Sequence, residues 1–315
     1  MTGGSAGRPL VVGTRGSALA LWQTEYVAAK LRARMPGLEI EVRRVETQGD
    51  RVRDRALSRV GGKGLFVKEI EEALLAGEVD LAVHSLKDMP TEQPPGLVLA
   101  AILERADPRD ALVSSGGRGD LAALPVGARV GTSSLRRRAQ LLAARPDLQV
   151  VDLRGNVDTR LRKLYEGQYD AIVLAVAGLA RLGHDEAFDQ ALPPEVMLPA
   201  VGQGALCVEI RTGDAGTRAR LATLDHEPTR QATAAERAFL RRLEGGCQVP
   251  IGAYGQVEDG RLWLRGLVAS PDGRQVLRDE VAGAAAEAES LGLALAEALL
   301  AAGAGPILAA GRAAS

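Results

Sequence analysis

Buried strands and helical stretches alternate from residue 10 to residue 174, and this rhythm constrains the fold more than any other feature. Residues 10–13 read as a buried strand. Residues 17–35 read as a helix, with Ser17 as N-cap and Leu19, Trp22, Tyr26 and Ala29 at helical spacing. A half-exposed strand is expected at 38–45, a polar loop at 51–64, a helix at 65–75 stopped by Gly77, and a buried strand at 79–83. The rhythm restarts near Asp110, with strands at 128–131, 149–153 and 170–174 and helices at 135–144 and 157–165. Such alternation implies parallel sheets with helices on both faces. Leu192-Pro193-Pro194 and residues 198–204 read as a crossing back, followed by a strand at 205–210 and helices at 215–224 and 229–243. After Cys247 the pattern changes to strands at 254–257, 262–269 and 275–277 and an Ala/Leu-rich helix at 284–300, a separate α+β domain.

Length and composition narrow the function. A chain of 315 residues is long for one core, so two or three domains are expected. A net charge of -1 argues against a general nucleic-acid binder. Two cysteines and three histidines without ligand spacing exclude a disulfide framework and a structural zinc site. Residues 1–9 have no apolar signal core and read as a disordered lead-in, and no apolar run approaches the ~20 residues of a bilayer span. A cytoplasmic protein is expected.

Two turns share a pattern. Val12-Gly13-Thr14-Arg15-Gly16-Ser17 and Val130-Gly131-Thr132-Ser133-Ser134 each end a strand in Gly-Thr and open a helix with hydroxyls. Helix N-termini with free N–H groups favour anions. Arg136, Arg137 and Arg138 follow the second turn, and Arg154 and Arg160 lie in a nearby segment. Solvated helix faces explain Arg138 and Arg162, but Arg15 and Arg154 sit where a strand meets a turn. Ligands bind at the carboxyl ends of strands in open α/β sheets, so Arg15, Asp88, Ser133 and Arg154 are expected to converge on one cleft. Asp88 follows a buried strand, where an acid/base role competes with turn capping. Gly245-Gly246-Cys247 displays a thiol next to Pro250, and the loop alone leaves a reachable and a structural thiol equally open. Cys207, in an apolar strand, reads as a buried structural thiol.

Residues 14–23, 60–68, 82–90, 104–111, 131–137, 153–161, 169–183, 198–205 and 243–252 carry a resemblance to the hydroxymethylbilane synthase (porphobilinogen deaminase) family. The resemblance runs from Leu10 to about Leu308. It implies an α/β fold of two lobes like type II periplasmic binding proteins, with mixed, mainly parallel sheets, plus a C-terminal α+β domain. The lobes would be 10–105 with 203–224, and 106–202, and the C-terminal domain 225–315. It implies a dipyrromethane cofactor joined to Cys247 by a thioether. Four porphobilinogen molecules would be added head-to-tail with loss of ammonia, and water would release hydroxymethylbilane.

By motif matching, Asp88 would be catalytic, stabilising cationic azafulvene-like species and assisting proton transfer. Lys87, Thr132, Ser133, Ser134, Arg136, Arg137 and Arg154 would bind the cofactor, and Arg15, Ser17, Phe66, Arg160 and Gln203 the substrate. Residues 51–64 would be a lid. Porphobilinogen is the implied small-molecule partner, with no metal, nucleic acid or membrane, a monomeric state, and a hand-off of product to the next pathway enzyme. Every ring carries an acetate and a propionate, which arginines match. Asp158 departs from the family, where many relatives have Gly. The rival reading is a non-catalytic two-lobed carboxylate or anion binder, which accounts for the arginines but not for Cys247 or Asp88.

Overall fold

The computed structural model describes residues 8–47, 67–117, 119–243 and 249–313. Along the chain run β1 (Leu10–Thr14), α1 (Ala18–Arg34), β2 (Ile40–Arg44), α2 (Lys68–Leu75), β3 (Leu81–Ser85) and β4 (Leu97–Ile102). Next come β5 (Asp110–Ser114), β6 (Arg129–Gly131), α3 (Leu135–Ala144), β7 (Gln149–Val151), α4 (Val157–Tyr165), β8 (Ala171–Ala175), α5 (Val176–Arg181) and β9 (Gln190–Leu192). The chain returns through β10 (Leu206–Arg211) and α6 (Ala215–Leu221). It continues with α7 (Glu227–Arg242), β11 (Ile251–Glu258), β12 (Arg261–Ala269), β13 (Val276–Ala284), α8 (Ala288–Leu299) and α9 (Gly305–Ala313). These elements form two compact units, one from the described parts of 1–53, 64–103 and 206–226, the other from those of 104–205 and 227–315.

The first unit holds a five-stranded sheet in the order β2-β1-β3-β10-β4. Strand β1 is buried along its whole length and runs parallel to both β2 and β3. Strand β10 runs antiparallel to β3 and β4. The second unit repeats the plan as β7-β6-β8-β5-β9, with β5 antiparallel to both neighbours. Both sheets are mixed, as expected, and each divides its pairings evenly between parallel and antiparallel rather than running mainly parallel. The cause is one strand in each sheet, β10 or β5, that runs against its neighbours.

Helix α1 corrects the expected apolar stripe. Its buried side is Gln23, Thr24, Val27, Ala28 and Leu31. Trp22 and Tyr26 are each 38% exposed and stack on one another at 5.1 Å between ring centroids. A polar residue wins the inner face because Gln23 Nε2 donates to Ser85 Oγ at 2.9 Å, which satisfies a buried amide.

In the second unit, β11, β12 and β13 form an antiparallel sheet. Phe239 of α7 packs so closely on β12 that a Cβ at Gly266 would lie 2.7 Å from its ring. Strand β13 extends well beyond the expected 275–277, because Arg278, Asp279 and Glu280 can face solvent on a sheet edge. The helical run Ala285–Gly311 is long and apolar enough by composition to cross a bilayer, against expectation. Its Leu295, Ala296, Leu299, Ala304, Ile307 and Leu308 are spent on the core around Phe239, and Gly303, with φ 102°, breaks the run. Cys207 is buried, as a structural thiol should be.

Candidate active site

In the first unit the carboxyl ends of β1 and β3, which are adjacent and parallel, carry the candidate residues. Strand β1 ends at Thr14, and Arg15-Gly16-Ser17 turns the chain into α1. Ser17 caps that helix by accepting from the Ala20 N–H, which is one of the orphan donors of the first turn. Strand β3 runs into a single helical turn, Leu86–Asp88. Leu86 and Met89 are buried and anchor the turn on both sides, so Lys87 and Asp88 are held outward between them. Arg15, Ser17, Gln23, His84, Ser85 and Asp88 line a pocket of about 60 Å³. Asp88 is the sole carboxylate among its described lining residues.

In the second unit the same device occurs twice. Strand β6 ends at Gly131, and Ser134 caps α3 by accepting from the Arg137 N–H. After β7, Asn156 caps α4 by accepting from the Thr159 N–H at 2.9 Å. Strands β6 and β7 are parallel neighbours, so two helix N-termini open at the same edge. Ser133 joins the two turns: its hydroxyl donates to Leu153 O at 2.8 Å and accepts from Leu153 N at 3.1 Å. Thr132 Oγ1 accepts from the Ser134 N–H at 3.2 Å. Gly155 has φ 114°, and a Cβ there would meet Thr159 Cγ2 at 2.6 Å, so only glycine fits beside Arg154. Arg160 Nε donates to Gly155 O at 2.7 Å, and Lys163 Nζ to Arg154 O at 3.2 Å.

Arg136 and Arg137 do not lie open to solvent, as ligand-binding arginines on a helix face would. They are 5% and 6% exposed and clamp a residue the sequence reading missed, Asp110. Arg136 Nη1 donates to Asp110 Oδ2 at 2.7 Å and to Leu198 O at 2.6 Å. Arg137 donates from Nε and Nη2 to Asp110 Oδ1, and from Nη1 to Val173 O. Gln203 Nε2 adds a bond to Asp110 Oδ1 at 3.0 Å. Burial raises the Asp110 carboxyl, but the charges of Arg136 and Arg137 outweigh it and hold it well below the usual carboxylate range. Burial in turn lowers the Arg136 guanidinium despite its partner. Two guanidiniums against one carboxylate leave an excess of positive charge beside the turns. A buried acid opening the apolar strand Asp-Ala-Leu-Val-Ser was the available signal for this cluster.

The structure therefore places Arg15, Ser17, Lys87 and Asp88 in one set and Thr132, Ser133, Ser134, Arg136, Arg137, Arg154, Arg160 and Gln203 in another. Phe66, Cys247 and the expected lid at 51–64 lie outside the described residues. Asp158 lies on the surface with Oδ1 3.3 Å from His184 Nε2. Among the described residues no group of His, Cys, Asp and Glu is placed to hold a metal.

Residues 10–219 match the family model described as porphobilinogen deaminase, dipyromethane cofactor binding domain, and residues 231–301 match porphobilinogen deaminase, C-terminal domain. A porphobilinogen deaminase of Geobacter metallireducens is 54% identical over 304 residues, covering 96% of this chain and 95% of the relative. Among solved structures, a TRAP periplasmic solute binding protein from Desulfovibrio salexigens aligns at 11% identity and TM-score 0.42, over 69% of this chain and 72% of that one. The BvgS VFT2 domain of Bordetella pertussis aligns at 17% identity and TM-score 0.40, over 68% and 84%.

Proposed function

Because the chain belongs to the porphobilinogen deaminase family, we propose that it adds four porphobilinogen molecules head-to-tail to a covalent dipyrromethane primer, with loss of ammonia, and releases hydroxymethylbilane by hydrolysis. One observation carries the catalytic assignment: the carboxylate lining the pocket with Arg15 and Ser17 is Asp88. A carboxylate there can accept a proton and offset positive charge developing on a pyrrole.

The second set suits an acid-bearing pyrrole. It combines excess guanidinium charge, two helix N-termini and a wall of hydroxyls, the donor set that carboxylates require. Cys247 would anchor the primer, and Lys87, Thr132, Ser134, Arg136, Arg137 and Arg154 would hold it. Arg136 and Arg137 share their donors between Asp110 and ligand acids. Ser133, bound to Leu153 in both directions, and Gln203, bound to Asp110, keep those donors in place. When bound, the dipyrromethane supplies the pyrrole carbon to which the first porphobilinogen is joined. Arg15, Ser17, Phe66 and Arg160 would take the substrate's acetate and propionate. Lobes at 10–105 with 203–224 and at 106–202, a C-terminal domain at 225–315, a cytoplasmic monomer and product hand-off belong to the same reading.

Intact mass of the purified, denatured protein tests it. An excess over the 33.0 kDa chain equal to two linked pyrroles, on the Cys247 peptide, is the expected result. A bare mass that stays unchanged after incubation with porphobilinogen would favour the anion-binding alternative.

A further inference from the structure

Beneath the pocket of the first unit lies a group of ionisable side chains that this mechanism does not use. On paired strands, Cys207 faces His84 and Glu209 faces Ala82, so His84 and Glu209 project from one face of the sheet. Nε2 of His84 lies 3.3 Å from Oε2 of Glu209, with the side chains 4% and 0% exposed. Neither that nitrogen nor either Glu209 oxygen has a well-formed hydrogen bond among the described residues. Glu71 on α2, the helix whose Ile70, Ala73 and Leu74 pack on Ala82, adds a buried Oε1 in the same condition.

Buried carboxylates without donors are costly when charged. A carboxyl group that keeps its proton lowers the cost. Burial, with the Glu209 charge next, pushes Glu71 up to about 7, while His84 pulls it down. The other ionisable groups on the packed elements are Lys68, Glu69 and Glu72 on α2, Cys207 and Arg211 on β10, and Asp80 ahead of β3. Asp80 is held by Arg8 and Arg211. Strands β1 and β4 carry none, and α1 presents Gln23 and Thr24. His84 also lines the pocket that holds Asp88 and Arg15, so the proton store opens onto the site.

We propose that His84, Glu209 and Glu71 form a proton reservoir for the reaction at the Asp88 pocket, a role that rests on the function proposed above. Each addition breaks the C–N bond of the aminomethyl group, the electron pair leaving with nitrogen as ammonia. A C–C bond joins two pyrroles, and one C–H bond breaks on the accepting ring. The nitrogen of a neutral aminomethyl group takes up one proton to leave as ammonia and the accepting ring gives one up, so a round consumes no net proton. One proton must nevertheless be kept at the site between the two events. The cluster lends it to nitrogen and recovers it from carbon by way of Asp88.

Carboxyl and imidazole NMR on the full-length, cofactor-loaded protein tests the coupling, with Glu71→Gln and His84→Gln assigning the signals. The Glu71 carboxyl is expected to titrate well above the ordinary carboxylate range, at about 7. In Glu209→Gln the Glu71 midpoint falls by about 1 pH unit, the size of a lost charge neighbour. The alkaline limb of kcat falls with it, at unchanged cofactor mass. Should Glu209→Gln not fold, Glu71→Gln gives the second reading, since Glu71 lies on the more exposed helix: its kcat limb moves to lower pH. A Glu71 midpoint left unmoved in Glu209→Gln, or a kcat profile that superimposes on that of the parent in a folded, loaded variant, would overturn the reservoir. A parent chain that turns over no porphobilinogen would instead sink the functional reading, while the NMR coupling still reports on the cluster.

Discussion

Arg137 holds one oxygen of the fully buried Asp110 from two nitrogens, Nε at 3.0 Å and Nη2 at 2.7 Å. Removing the carboxylate strands two buried cations. Asp110→Ala is therefore expected to destabilise the protein by about 3–5 kcal/mol, read from denaturant midpoints. The pH dependence has a definite sign. The folded carboxyl is depressed, so its contribution is present above the unfolded value of about 4 and is lost as pH falls below it. The stability gap between parent and Asp110→Asn should be constant from about pH 5 to 8 and close in acid. A gap that instead widens below pH 4, about the unperturbed carboxyl value, would contradict the ion pair.

Asp88→Ala is expected to keep its cofactor and lose turnover by about 10²–10⁴-fold, the range for positioned acid/base groups. Mass spectrometry checks the first half and single-turnover ammonia release the second. Normal turnover would remove Asp88 from the chemistry.

Cys247→Ala should carry no covalent pyrrole after incubation with porphobilinogen. Intact mass decides, and a retained adduct would move the anchor to another residue.

Glu71 titrates upward on folding, so the folded state binds its proton more tightly. Stability linked to it is present below the unfolded value and lost as pH rises towards about 7. Glu71→Gln should raise the denaturation midpoint at pH 8 and leave it near the parent's at acid pH, about the unperturbed glutamate value. Equal midpoints on the alkaline side would show that no proton is held there.

The βα frame was legible because β1, β3 and β10 are apolar runs and Ser17 and Ser134 are strong caps. Helix α1 was read on the wrong side because Trp22 and Tyr26 weigh as core residues by composition. The bond that turns Gln23 inward comes from Ser85, 62 positions away. The expected ligand set named residues at the right turns, since strand ends and helix caps are local features. It could not reveal what those side chains hold. Asp110 is 26 and 27 positions from Arg136 and Arg137, and only the sheet brings them together. The His84–Glu209 contact is likewise made by strands more than a hundred residues apart.

The placement of β10 between β3 and β4 has a consequence for biosynthesis. The strand that completes the first sheet emerges from the ribosome only after the whole of the second five-stranded sheet has been translated. Until residue 211 is made, β3 and β4 each lack the partner that joins them. The part of the protein that begins first is thus completed late, and its nascent strands wait with an open edge. A stop codon anywhere between Asp88 and β10 would leave the Asp88 pocket on a sheet that cannot close, even though every described residue lining it had already been made.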